Sequence, residues 1–352
     1  MKGSAAPSAA ARHPALNLLL LVGLVLGAVC VALFGIMLYA KLRLGTTDVG
    51  AISANPAGFR LGWEFMMVSQ GLTLLLGFGG AALALATVSG YRWSAYFAPR
   101  PAVAGRVLLL VALLVIVLLP LMAALVEWNA KTHFPAFLRE FEAWARESET
   151  RAEVMTKYLT QFTSPGRFLV GVLVVAVVPA VAEELFFRGV VQRNLVQWFS
   201  PHVGIWLAAA IFSASHFQFF GFFPRFVLGI VVGYLYYWSG NILVPRAAHF
   251  TQNGFQLLLL YLQQQGRLGA DFNSDSNTSL PWPWAVASAL LSAGLLYLIY
   301  QQLRSAAPTE RHTLSGEGVA VAVAPTETPA AEEPGGDFRP DPTSPAVDRQ
   351  FS

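Results

Sequence analysis

Long apolar runs recur along most of the chain and constrain its fold more than any other feature. Eight of them approach the roughly 20 residues that an α-helix needs to cross the hydrocarbon core of a bilayer. They lie at about 16–40, 65–89, 105–126, 167–199, 203–220, 225–239, 242–263 and 283–303. We therefore predict an all-α fold, a polytopic membrane bundle of about eight transmembrane helices.

The composition supports a membrane protein. Of the 352 residues, 55% are hydrophobic and 12% are charged, and the mean hydropathy is +0.53. An average soluble domain carries about twice that share of charge. The net charge of +3 is small and the basic residues lie mostly at the ends of apolar runs, so we exclude nucleic acid as a partner and expect membrane lipids. A single cysteine, Cys30, excludes a disulfide framework and a cysteine metal site.

Charge and composition divide the chain into five parts. Residues 1–14 form a basic N-terminal segment, and residues 15–126 carry three transmembrane helices. Residues 127–165 are rich in charge, with aromatic residues at helical spacing, which predicts an extramembrane, amphipathic connection at the interface. Residues 166–304 form a second transmembrane group, and the polar tail 305–352 is predicted to be disordered. The basic residues near the N-terminus and around position 100 favour cytoplasmic termini.

Two adjacent acids interrupt the fourth apolar run. A charge at bilayer depth is disfavoured by at least roughly 2.5 to 3.5 kcal/mol, so such groups usually pair, face a wet cavity or do chemistry. Glu184 and Arg188 are four residues apart and share a helix face, which predicts an ion pair. Glu183 is rotated by about 100° from Glu184 and has no basic residue three or four positions away. It is therefore available to act on another helix or on water.

Polar residues on later apolar runs can meet these acids. Glu183 precedes Ser200 by 17 residues and His216 follows it by 16. If Ser200-Pro201 marks the turn of a helical hairpin, Glu183 and His216 lie at the same membrane depth. His249 and Asn253, four apart on the seventh run, share one face. We predict that three helices bring one acid, two imidazoles and one amide to a single pocket.

Other functions fit the same residues. A lone histidine in an apolar helix is more often a hydrogen-bonded packing residue than a catalyst, whereas the combination favours a hydrolytic site. A proton-coupled membrane transporter could use the acid and the two imidazoles as a relay. A non-catalytic scaffold that binds a peptide or a lipid is the third alternative.

The motifs resemble those of a known family. Glu183-Glu184-x-x-x-Arg188, Phe212-x-x-x-His216 and His249-x-x-x-Asn253 are similar in type and order to those of the CPBP family of CAAX proteases and bacteriocin-processing intramembrane proteases. The family is also called Abi or Ras-converting-endopeptidase, and the resemblance covers about residues 165–260. It implies that residues 166–304 are a catalytic core. It also implies that the protein cleaves a membrane-associated, prenylated or otherwise hydrophobic peptide. We expect it in the plasma membrane of a prokaryote.

The resemblance also implies a role for each site residue. Glu183 would be the general base for a water molecule, and His216 would help to hold that water or a metal ion. His249 and Asn253 would stabilise the oxyanion, while Glu184 and Arg188 would support the helix. Glu183, His216 and His249 could supply three ligands to zinc or another divalent metal, although without a His-Glu-x-x-His arrangement.

Overall fold

The structure is a computed structural model that describes residues 12–98, 103–268 and 281–305. These residues form helices and connections and contain no β-strand, which confirms the predicted all-α class. We number the helices α1 to α11 in chain order. Their bounds are Pro14–Leu44, Val49–Ala54, Gly62–Val88, Trp93–Phe97, Gly105–Ala130, Arg139–Leu159, Pro165–Trp198, Pro201–Ala214, Phe222–Ser239, Leu243–Gln264 and Trp282–Ser305.

Each predicted apolar run corresponds to one helix. In the described ranges, α1, α3, α5, α7 and α11 are long and apolar enough to cross a membrane. Helices α8, α9 and α10 fall short of that length or hydropathy, so the number of eight spans stays a prediction. One boundary was wrong, because the fifth run was predicted to be helical to residue 220 and α8 ends at Ala214. Phe217 has a φ of 54°, outside the range of a right-handed helix.

Helices α7 and α8 form the hairpin that the sequence predicted. Ser200 caps α8 through its hydroxyl, which accepts from the Val203 N–H, and Pro201 occupies the first turn, where no N–H is needed. Gly204 faces the end of α7 so closely that an added Cβ would lie 2.5 Å from the Val196 nitrogen. A side chain here would push the helices apart, so this glycine permits the close packing that holds membrane helices together.

Two clusters of buried apolar residues flank this hairpin. One cluster joins α7 and α8 to α1, α3 and α4, with Leu85 and Val190 fully buried in it. The other joins α9 and α10 to α5 and α11, with Leu114 and Ile299 fully buried. Helices α7 to α10 therefore lie between the N-terminal helices on one side and α5 with α11 on the other.

Helix α6 forms within the charged connection 127–165. It carries four-residue-spaced ion pairs on its surface, among them Glu147 with Arg151 and Glu153 with Lys157. Its end is attached to α3, since the Trp63 indole N–H donates to the Leu159 carbonyl at 2.9 Å. Its placement at a membrane interface stays a prediction. Most of the predicted N-terminal segment, and the predicted disordered tail beyond residue 305, lie outside the described residues.

Candidate active site

Helix α7 carries both acids into the interior. Glu183 is 8% exposed and Glu184 is fully buried. The helix has wider turns, closed by i→i+5 hydrogen bonds, over Val172–Val177 and Glu184–Gln192. Such turns are frequent at functional sites because they rotate the following side chains away from the regular α-helical position.

Glu184 bridges two cationic or protonatable side chains. Its Oε1 accepts from Arg188 Nη1 at 2.9 Å, which is the contact expected from the spacing. The same oxygen lies 2.7 Å from Nδ1 of His249 on α10. Arg188 also lies over the Phe212 ring, 4.5 Å from its centroid. The sequence predicted the arginine but not the histidine as a partner of Glu184, because the histidine comes from 65 residues further along the chain.

His249 lies between the two acids. While Nδ1 faces Glu184, Nε2 lies 4.0 Å from Glu183 Oε2. A carboxylate at Nδ1 requires a proton on that nitrogen and fixes the plane of the ring. Nε2 is therefore directed at Glu183, with a gap that is too long for a direct hydrogen bond.

His216 lies just beyond the C-terminal end of α8, in a turn instead of on the predicted helix. Its Nδ1 donates to the Phe212 carbonyl at 2.9 Å, which leaves Nε2 as the lone-pair nitrogen of a neutral ring. The Phe212 ring contacts His216 edge-on at 5.0 Å between centroids and lies 6.3 Å from His249. Phe212 thus touches both imidazoles. Within the described ranges, no hydrogen bond or ion pair joins His216 to Glu183.

Asn253 holds α10 against α7. Its Nδ2 donates to the Val175 carbonyl at 2.9 Å. In a regular α-helix that carbonyl would accept from the residue four positions on, which is Pro179 and has no N–H. The amide thus supplies a donor to a carbonyl that has no N–H partner four positions on.

The predicted metal ligands do not form a ready coordination sphere. Among the described residues, no group of three or more histidine, cysteine, aspartate or glutamate side chains is arranged so that it could hold a metal ion. Of the three predicted ligands, Glu183 lies near His249, whereas His216 is hydrogen-bonded to the Phe212 carbonyl near the end of α8. Glu183, His216 and His249 therefore do not fit a three-ligand zinc site in this arrangement, and no step below involves a metal.

Three consecutive polar residues, four to six positions after Arg188 on α7, were not predicted to have a role. Gln192 donates to the Gly233 carbonyl of α9 at 2.9 Å. Arg193 donates to the Tyr96 carbonyl of α4, and Asn194 accepts from Asn17 of α1 at 3.0 Å. Consecutive polar residues inside an apolar run were the available signal. Each joins α7 to a different helix, which is how buried polar groups hold membrane bundles together.

The comparison with known families bears on this group of helices. Residues 165–255, about a quarter of the chain, match a family model described as "Type II CAAX prenyl endopeptidase Rce1-like". The predicted family resemblance is confirmed over this range. Glu183, Glu184, Arg188, His216, His249 and Asn253 all fall inside the match. The matched segment is thus similar to CAAX prenyl endopeptidases, and the helices that are long and apolar enough to cross a membrane support an integral membrane protein.

One curated relative is an uncharacterized protein, YpbD, of Bacillus subtilis (strain 168). It is 39% identical over 75 residues, which is 20% of this chain and 35% of the relative. The alignment therefore spans about a third of that relative's length. No solved structure matches the chain.

Proposed function

We propose that this protein is an intramembrane endopeptidase that uses an activated water molecule to cleave a hydrophobic or prenylated peptide associated with the membrane. The observation that carries the proposal is the position of His249, with Glu184 at Nδ1 and Glu183 at Nε2. Peptide hydrolysis requires a general base that activates water, a hydrogen-bond donor for the oxyanion and a group that orients this donor.

Glu183 is proposed as the general base. It is buried, and it has no ion pair with Arg188, which pairs with Glu184. A water molecule at hydrogen-bonding distance from Oε2 can also reach His249 Nε2, since those two atoms are 4.0 Å apart. Glu183 would take a proton from the water as its oxygen adds to the peptide carbonyl carbon. The same proton would then pass to the leaving amine nitrogen as the C–N bond breaks.

His249 and Asn253 are proposed as the donors to the oxyanion. The Glu184 carboxylate at Nδ1 orients the ring, so that Nε2, when it carries a proton, can donate to the oxyanion. One amide hydrogen of Asn253 is held by the Val175 carbonyl, which fixes the amide plane for the second hydrogen. Removal of one such donor typically lowers the rate on the order of a hundred- to a thousandfold.

His216 is proposed to orient the attacking water through Nε2, because its Nδ1 is hydrogen-bonded to the Phe212 carbonyl. A requirement for zinc or another divalent metal stays a prediction from the residue types. We further propose that the protein lies in the plasma membrane of a prokaryote with its termini in the cytoplasm. Lipids and a hydrophobic or lipidated peptide substrate would be its partners.

The test of the proposal is the Glu183→Gln variant of the purified protein in detergent. Glutamine keeps the volume of the side chain and removes the base, so we expect cleavage of a prenylated reporter peptide to fall on the order of a hundred- to ten-thousandfold. Glu153→Gln on the exposed surface of α6 is the control and should cleave normally. Both variants should melt close to wild type. Cleavage by Glu183→Gln at a near wild-type rate would contradict the mechanism.

A further inference from the structure

The turn that carries His216 lies outside the regular helices, between α8 and α9. We call residues 215–221 the His216 turn. Its first bonds are local, with the His216 N–H donating to the Ser213 carbonyl at 3.3 Å and the Phe217 N–H to the Ala214 carbonyl at 3.0 Å. Phe217 then adopts a φ of 54°, in the left-handed region that a bulky aromatic residue rarely enters. Such a conformation persists where surrounding contacts hold it.

Helix α6 supplies contacts from one side of this turn. Ser148 Oγ donates to the Phe217 carbonyl at 3.4 Å, and the Gln218 side-chain amide donates to Glu149 Oε1 at 3.3 Å. The neighbouring turn of α6 adds Arg146, which lies 4.3 Å from the Phe220 ring centroid. Helix α6 thus touches the turn through both polar and aromatic contacts, although it lies outside the matched segment 165–255.

Helix α9 holds the same turn from the other side. Arg225 Nη2 donates to the Gln218 carbonyl at 2.9 Å. Its guanidinium packs directly on Gly221, where an added Cβ would lie 2.3 Å from Nη1. Gln218 is therefore fixed twice, by Glu149 at its side chain and by Arg225 at its backbone. It lies two residues after His216.

Glu149 differs from Glu147 on the same helix in its surroundings. Partial burial raises the pKa of its carboxyl group, while the Arg225 charge and the Phe220 N–H favour the ionised form. Its Oε2 is buried and has no direct hydrogen-bond partner among the described residues. By contrast, Glu147 is 70% exposed and pairs with Arg151 along the helix. Burial of an acid is unfavourable without compensating contacts, and here those contacts come from the turn and from α9.

We propose that Glu149 is a positioning residue for His216. By binding Gln218 beside the Arg225 charge, it fixes the His216 turn and hence the direction of the imidazole. The inference rests on the proposed function for the role of His216. The anchoring of the turn by α6 is a separate, structural part of it. Helix α6 would then support the catalytic site through Glu149.

The experiment compares Glu149→Ala, Glu149→Gln and the matched control Glu147→Ala in the full-length protein in detergent. A misplaced catalytic group typically lowers kcat on the order of 10- to 100-fold. We expect such a loss for Glu149→Ala with KM changed by less than about twofold, because Glu149 does not touch substrate. Glu149→Gln keeps an oxygen that can accept from Gln218, so it should recover part of the activity. Glu147→Ala should behave as wild type.

Amide hydrogen exchange supplies a readout that does not need catalysis. Residues 215–221 should exchange faster in Glu149→Ala than in wild type, and at the wild-type rate in Glu147→Ala. If Glu149→Ala does not fold, Gln218→Ala removes the same hydrogen bond from the other side and should give the same pattern.

The outcomes separate the two proposals. If wild type cleaves no peptide but exchange rises in Glu149→Ala, the proposed protease function fails and the anchoring of the turn stands. An active wild type with unchanged kcat and unchanged exchange in Glu149→Ala overturns this inference alone. A raised KM at unchanged kcat also overturns it, since Glu149 would then act on substrate binding.

Discussion

Two glutamate–arginine pairs in this protein have the same spacing and different surroundings. Glu184 and Arg188 on α7 meet at 2.9 Å, and Glu147 and Arg151 on α6 meet at 2.6 Å. Both pairs are four residues apart on a helix. The side chains of the first pair are 0% and 3% exposed, whereas those of the second are 70% and 57% exposed.

The comparison shows that spacing determines whether two charges meet, while burial determines what their contact contributes. An exposed pair is solvated and screened, and typically stabilises a protein by about 0.2 to 1 kcal/mol. A buried pair has lost its water, so removal of one partner leaves a charge without compensation and costs about 3 to 5 kcal/mol. The buried pair also has His249 as a third member, which the exposed pair lacks.

The largest expected effect comes from removing one arginine of each pair. Arg188→Met leaves the Glu184 charge in the interior, so we expect a loss of about 3 to 5 kcal/mol in the free energy of unfolding. Arg151→Met is the matched control and should lose less than about 1 kcal/mol. Thermal melting of both variants in the same detergent measures the difference. Equal losses would mean that solvent reaches Glu184 and that the contrast in burial has no energetic consequence.

A difference between variants, measured against one another and not against wild type, distinguishes a two-membered pair from a network. Exchange of the charges in Glu184→Arg with Arg188→Glu places a cation opposite the Nδ1 of His249, which has lost its acceptor. We therefore expect the double variant to be no more stable than the less stable of the two single variants, Glu184→Arg and Arg188→Glu. Exchange at Glu147 and Arg151 should leave the melting temperature almost unchanged. Recovery of stability by the first exchange would show that the Glu184–Arg188 pair stands independently of His249.

The smallest effect concerns Glu142, an acid of α6 that accepts from the Phe134 N–H and from Arg146 and lies 3.0 Å from His133 Nδ1. The Phe134 N–H and then Arg146 lower the pKa of Glu142 from 4.5 to about 2. Because the folded-state pKa is lowered, this stabilisation is fully present above about pH 4.5 and is lost as the pH falls toward 2.

The measurement is the melting temperature of wild type and of Glu142→Gln from pH 7 to pH 3. The difference between them should stay constant down to about pH 5 and shrink below about pH 4, since Glu142 takes up its proton there only on unfolding. A difference that already disappears at pH 6 would contradict the contribution of the ionised carboxylate.

Much of the helical architecture could be predicted from the sequence. The apolar runs exist because a membrane helix must satisfy its backbone internally and present apolar side chains, and these requirements are written locally. Ser200-Pro201 marked the start of α8 for a local reason as well. The predicted end of α8 at residue 220 was wrong because phenylalanines continue along the chain to that position, although the helix ends at Ala214. The turn there is held by Gln218 through contacts with Glu149 and Arg225, which are distant or follow later in the chain.

The same division applies to the candidate site. Sequence alone determined that Glu184 can meet Arg188, because a four-residue separation on one helix brings two side chains together whatever the rest of the fold does. Only the tertiary structure decided that His249 lies between Glu183 and Glu184 and that Asn253 donates to the Val175 carbonyl. Those contacts join α7 to α10, and helix periodicity fixes the face of a residue but not the neighbour against which that face packs.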